Sequence, residues 1–240
     1  MLGGHPRALS TLFFTEMWER FTFYGMRALL VLFLVDAVES GGYGLDDKTA
    51  TAIYGLYTAA VFMAALPGGW IADRLIGAQR AVMVGGTLMT LGTLMLTIPG
   101  PKQLFFGGLV VIILGVGLLK PNVSTLVADL YPEGGGRRDA GFTIFYMGIN
   151  LGAFIGPLIA GWLAQRYGWR IGFLAAAIGL PFGLLQFWLS RRLFNGAGAQ
   201  PNRNDGGAGL ATDWRRLWIA LAVFAAVAAL LFSGTVHLDP

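Results

Sequence analysis

The chain has 240 residues, of which 55% are hydrophobic and only 12% charged, and its formal net charge is +4. A soluble domain usually carries about 25% charged residues, so the composition excludes an ordinary soluble domain. The modest basic excess reads as membrane topology rather than nucleic-acid binding. Cysteine is absent, which excludes disulfides, thiolate zinc sites and iron–sulfur clusters.

Apolar runs near the roughly 20 residues needed to cross a bilayer recur along the chain. They predict membrane spans at about 10–35, 50–72, 79–98, 104–130, 139–165, 169–190 and 214–233. The first span is too long and too charged for a cleaved signal segment, so no separate signal peptide is expected. Glycine is abundant, at 36 residues, and much of it lies inside spans, as in "FFGGLVVIILGVGLL". Small residues there let helices approach closely where water cannot drive their association.

The first span contains "TEMWERFTFYGMRALLVLFLV", which begins at Thr15 and carries Glu16, Glu19, Arg20 and Arg27. With Glu16 as origin, Glu19, Arg20, Phe23, Tyr24 and Arg27 follow at helical spacing. The six share one face roughly 140° wide. The opposite face carries Met17, Phe21, Leu29 and Leu32, for lipid or other helices. Each charge costs about 2.5–3.5 kcal/mol at mid-membrane. The charged face must therefore look into protein or a watery cavity. Glu16 precedes Arg20 in the favourable i,i+4 order. A competing reading places Glu16 and Arg20 at the interface, snorkelling into water; Arg27 is too deep for that.

The second span carries Tyr54, Tyr57 and Phe62, aromatics whose spacing reads first as packing. In the fourth, "GVGLLKPNVSTLV" sets Lys120 and Asn122 around Pro121. Proline frees a carbonyl one turn back, a feature tolerated at membrane depth where neighbours or a cavity satisfy it. A buried ammonium needs a carboxylate, and Glu19 is the expected partner of Lys120. Asp129 reads as interfacial. In the fifth span Tyr146 and Asn150 share a face. Interhelical hydrogen bonding competes with ligand binding as the role of Asn150.

Six spans end at "LSRRLF". The stretch "NGAGAQPNRNDGGAGLATD" reads as a flexible linker, and a further helix begins at Trp214. The expected organisation is a six-helix bundle at 1–192, a flexible cytoplasmic linker at 193–212 and an additional membrane helix at 213–240. A chain ending there is expected to be part of a longer protein. With the N-terminus inside, inner segments hold Arg7, Arg74, Arg80, Arg137, Arg138, Arg191, Arg192 and Arg203. Outer segments hold Lys48, Lys102, Arg166 and Arg170. The excess of basic residues inside favours a cytoplasmic N-terminus. His5 and His237 both lie outside the spans, so carboxylates must carry any coupled proton.

"EMWERFTFYG" resembles the E-x-x-E-R-F-x-Y-Y-G signature of the proton-dependent oligopeptide transporters, a family of the major facilitator superfamily. "GGWIADRLIG" resembles that superfamily's G-x-x-x-D-R-x-G loop between spans two and three, with one extra residue before Gly77. "GLLKPNVSTLV" and "FYMGINLGAF" match further stretches typical of the family. The resemblance covers all six spans, and the helix after residue 213 matches the first of two helices that bacterial members insert between their halves.

The resemblance implies an all-α polytopic membrane protein. This chain would supply a major facilitator six-helix N-terminal bundle plus one extra helix, with the C-terminal bundle absent. It implies proton-coupled import of di- and tripeptides across the bacterial cytoplasmic membrane, with no cofactor and no enzymatic activity. By motif position, Glu16, Glu19, Arg20 and Lys120 would couple protons, and Arg20 and Lys120 would receive the peptide carboxylate. Asn150 would meet the peptide backbone or amino end, and Arg27 an acidic residue of the missing half. Phe23, Tyr24, Tyr57 and Phe62 would form apolar walls. Phe23 and Phe62 stand where the family usually has tyrosines, which bears on side-chain preference. A carrier of nitrate, a drug or another anion is the alternative. An acid/base enzyme built on Glu16 and Glu19 lacks a neighbouring nucleophile, and a receptor would bind without uptake.

Overall fold

A chain crossing lipid must satisfy its backbone polar groups within itself, and helices are one of two ways to do so. The computed structural model describes residues 4–201 and 209–219, and every regular element among them is helical. The elements are α1 (Arg7–Val35), α2 (Asp47–Ile71), α3 (Ala78–Met95), α4 (Lys102–Asp129), α5 (Gly135–Tyr167) and α6 (Trp169–Leu189). A further helix occupies 210–219; residues 220–233 of the expected seventh span and His237 lie outside the described residues. Asp47–Ile76, Lys102–Asp129, Gly135–Tyr167 and Trp169–Leu189 are long and apolar enough to cross a membrane. Two expected spans fall short of that measure for visible reasons. Helix α1 carries the charged face, and α3 spends its first turn on Gln79 and Arg80.

Helix α1 packs on α5 and α6, α4 packs on α2 and α3, and α3 meets α6. Exchanging the first three helices for the second three maps these contacts onto one another, while the packing of α5 on α6 has no equal between α2 and α3. That is the nested three-plus-three repeat of major facilitator halves. Glycine sets the spacing. Gly148, Gly152 and Gly156 of α5 lie one turn apart and face Phe13, Met17 and Phe21 of α1. A Cβ on Gly148 would come within 2.8 Å of the Phe13 carbonyl oxygen, and one on Gly152 would overlap that of Met17. Phe21 is buried between this seam and α6, where a Cβ on Gly179 would sit 2.7 Å from its ring. The face of α1 opposite the charges therefore meets helices at Phe21 and Leu29, while Leu32 is exposed.

The helix ends carry local signals. Asp46 caps α2, accepting from the Thr49 amide at 2.9 Å, and the two hydrogen bonds from Thr49 hold its carboxyl below the usual range. After α2 the chain runs through a π-helical turn, Ala72–Ile76, closed by the Gly77 amide donating to the Ala72 carbonyl at 2.9 Å. A π turn absorbs one added residue, which is how the extra residue before Gly77 is accommodated. Gly77 leaves that turn at φ 82°, a backbone that only glycine adopts freely.

The expected flexible stretch at 193–212 differs in its first part. Arg191–Phe194 forms a 3-10 turn, and buried Phe194 packs on Phe187 with ring centroids 5.2 Å apart. Gln79 then holds the following segment, its side chain donating to the Ala197 carbonyl at 2.6 Å and its amide to Gly198 at 2.9 Å. At the opposite end of the bundle, Trp169 Nε1 donates to Asp36 Oδ2 at 2.6 Å, tying α6 to the end of α1.

Candidate functional site

The charged face of α1 is enclosed by protein. Glu16, Glu19 and Arg20 are 2%, 0% and 4% exposed, so interfacial snorkelling is not their arrangement. Arg20 Nε donates its one hydrogen to Glu16 Oε1 at 2.8 Å, the i,i+4 pair expected from the sequence. Glu19 Oε2 lies 2.7 Å from the same nitrogen but receives no hydrogen from it, so this contact is an ion pair without a hydrogen bond. Both Glu19 oxygens and Glu16 Oε2 are buried without a donor. Among the described residues the two Nη atoms of Arg20 have no hydrogen-bond partner. The guanidinium is thus anchored through Nε with its fork uncommitted.

Above this triad the aromatic residues form a ladder to α2. Arg20 Cζ lies 5.8 Å from the centroid of the Phe23 ring, and Phe23 stacks on Tyr57 at 6.5 Å. Arg27 is half-buried; its Nε donates to the Tyr54 hydroxyl, and its Cζ sits 4.9 Å over the Tyr54 ring and 5.9 Å from the Phe23 ring. Tyr54 is therefore an anchor for a membrane-depth arginine rather than packing alone. Its one-turn spacing from Tyr57 was the available clue.

Lys120 corrects the expected pairing. Its Nζ lies 4.7 Å over the Phe62 ring, and among the described residues it makes no ion pair with Glu19 or any other carboxylate. Glu19 is instead ion-paired with Arg20 on its own helix, and the half-buried ammonium lies on a ring face. Lys120 still lies within electrostatic range of Glu16, Glu19, Arg20 and Arg27. Asn122, 1% exposed, donates to the Leu118 carbonyl at 2.6 Å and to the Gly68 carbonyl at 3.4 Å. It staples the proline-containing stretch of α4 to α2, a role the sequence did not disclose.

The remaining expected residues are spread. Phe23 and Tyr57 are buried, Tyr24 is half-buried, and Phe62, Tyr146 and Asn150 are exposed. Asn150 makes no interhelical hydrogen bond among the described residues. Asp129 is exposed. A cavity of about 360 Å³ lies elsewhere, between the π turn, the end of α4 and the segment after α6, lined by Asp73, Thr125, Asp129 and Gln200 among others. Among the described residues no cluster of three or more histidine or carboxylate side chains is placed to hold a metal ion.

This arrangement can be set beside known proteins. The family model described as POT family (PTR2) matches residues 79–226. The chain belongs to the POT family. The peptide transporter YePEPT of Yersinia enterocolitica is 43% identical over 99% of this chain and 48% of its own length. A di-/tripeptide transporter of Lactococcus lactis is 46% identical over 83% of the chain and 41% of its own length. The crystal structure of a peptide transporter POT in complex with sulfate superposes with a TM-score of 0.90 at 45% identity, over 98% of this chain and 48% of that one. This POT-family chain thus spans about half the length of the relatives it matches. Its charged α1 is the E-x-x-E-R helix of a membrane protein with the major facilitator fold.

Proposed function

We propose that this chain is the N-terminal half of a proton-coupled carrier that imports di- and tripeptides across the bacterial cytoplasmic membrane, with its N-terminus inside and a second six-helix bundle completing the site. The state of the two cations carries the reading. Arg20 has an uncommitted guanidinium fork, and Lys120, on a different helix, has no carboxylate partner among the described residues. A fork takes a carboxylate bidentately, and an ammonium adds a point charge beside it. A peptide's terminal carboxylate fits that pair. The names of the two relatives support the substrate class.

Proton coupling follows from the triad. Glu16 and Glu19 share one guanidinium nitrogen. Protonation of Glu19 leaves Arg20 with Glu16 alone and loosens its hold, so that Arg20 can turn toward a carboxylate. Loss of that proton re-forms the triad and favours release. Asn150 is exposed and suited to the peptide backbone or amino end, and Phe62 and Tyr24 to apolar walls. Arg27, held by Tyr54, is suited to an acidic partner in the second half.

The test is labelled dipeptide uptake by the complete protein in liposomes under an inward proton gradient. Wild type should accumulate peptide, and Glu19→Gln should lose accumulation while keeping peptide-for-peptide exchange. Accumulation surviving in Glu19→Gln would remove Glu19 from the coupling step. Gradient-driven uptake of nitrate but not dipeptide would replace the peptide reading with the anion-carrier alternative.

A further inference from the structure

Among the buried polar atoms without a hydrogen-bond partner are those of Glu19 on α1 and Tyr57 on α2. The carboxyl of Glu19 is fully buried and has no hydrogen-bond donor on either oxygen. The hydroxyl of Tyr57 belongs to a residue only 3% exposed and also has no partner. Burying either group unsatisfied is costly, and each such case in a native protein calls for a reason.

The Phe23 ring links the two residues. Phe23 lies one turn beyond Glu19 on the same face of α1, and Tyr57 of α2 stacks on Phe23 with an interplanar angle of 26°. Arg20, which holds Glu19, reaches over that same ring. Helices α1 and α2 share little other packing, so this ladder is a principal link between them. Tyr57, expected to form a wall for peptide side chains, is buried against Phe23.

We infer that the Tyr57 hydroxyl is the hydrogen-bond donor to the Glu19 carboxylate, reached through one water or by a small turn of the Glu19 side chain, and so positions the proton-coupling group from the neighbouring helix. The inference rests on the proton-coupled reading given above. The groups facing the pair are Glu16, Arg20 and Arg27 of α1, Tyr54 of α2 and Lys120 of α4. Among the described residues α5 and α6 contribute none. A donor on an ionised acceptor makes a stronger bond than one on a neutral acceptor. Tyr57 therefore favours the ionised form of Glu19 and sharpens proton release on the side where peptide leaves.

The experiment compares wild type and Tyr57→Phe, as complete proteins in liposomes, in the pH dependence of gradient-driven dipeptide uptake. Phenylalanine keeps the stacked ring on Phe23, so the fold is retained. Peptide exchange without a gradient checks this by remaining measurable. Tyr57→Phe should move half-maximal uptake to higher pH by about one unit, the shift that loss of one hydrogen bond to a charged group produces. An unshifted profile, or a shift to lower pH, would overturn the assignment. Wild-type uptake indifferent to the proton gradient would instead overturn the coupling reading on which the inference rests.

Discussion

Gly152→Ala tests the seam that holds the charged helix in place. A methyl group at this position would overlap the Met17 carbonyl oxygen of α1 and come within 3.0 Å of Arg20 Cβ. Neither neighbour can yield cheaply. One is helix backbone, and the other is the root of the side chain that binds both glutamates. Helix α5 must withdraw, and overpacking of this kind costs about 1–3 kcal/mol. At about 2–4 °C per kcal/mol for a body of this size, the thermal midpoint of the purified protein should fall by roughly 2–12 °C. Peptide affinity should fall with it, because Arg20 moves.

Gly161→Ala on the same helix is the control. A Cβ there meets nothing within 4 Å, and alanine is the better helix former by about 1 kcal/mol. Its midpoint should stay level or rise. Thermal unfolding of both variants, followed by loss of the monodisperse peak in detergent, decides the matter. Equal midpoints for the two variants would mean that close approach at Gly152 does not hold α5 on α1.

Trp169→Phe removes a 2.6 Å bond to Asp36 and leaves that carboxylate without the indole donor. It should destabilise the protein by about 1.5–3 kcal/mol, the range for hydrogen bonds to charged groups, read in the same unfolding assay, with peptide exchange intact in the surviving fraction. Asp46 has its folded titration range lowered by Thr49, so its capping contribution is present at neutral pH and is lost as pH falls through that lowered range. Amide exchange in the first turn of α2 should quicken only below the ordinary aspartate range near about 3.9; Asp46→Ala should show the faster exchange already at neutral pH.

Much of the architecture was legible from residue types alone. Apolar runs of membrane length fix where helices go, because lipid leaves the backbone no other open-chain solution. All six expected spans of the bundle correspond to α1–α6. The charged face of α1 was legible for an equally general reason. Six residues at helical spacing must share a side, and four charges on one side cannot face lipid. The Glu16–Arg20 pair follows from i,i+4 spacing.

Which side chain meets which across helices was decided elsewhere. Spacing along one helix says nothing of distances between two, and those are set by close approaches such as Gly148, Gly152 and Gly156 between α5 and α1 and Gly68 and Gly117 between α2 and α4. Hence Lys120 over Phe62 rather than on Glu19, Arg27 on Tyr54, and Tyr57 buried against Phe23. The segment after α6 has the glycine-rich composition of a tether, yet one buried phenylalanine and one glutamine side chain dock its first part. Composition reports an average tendency of a stretch, whereas a single well-placed anchor, available only once the helices have packed, is enough to override it.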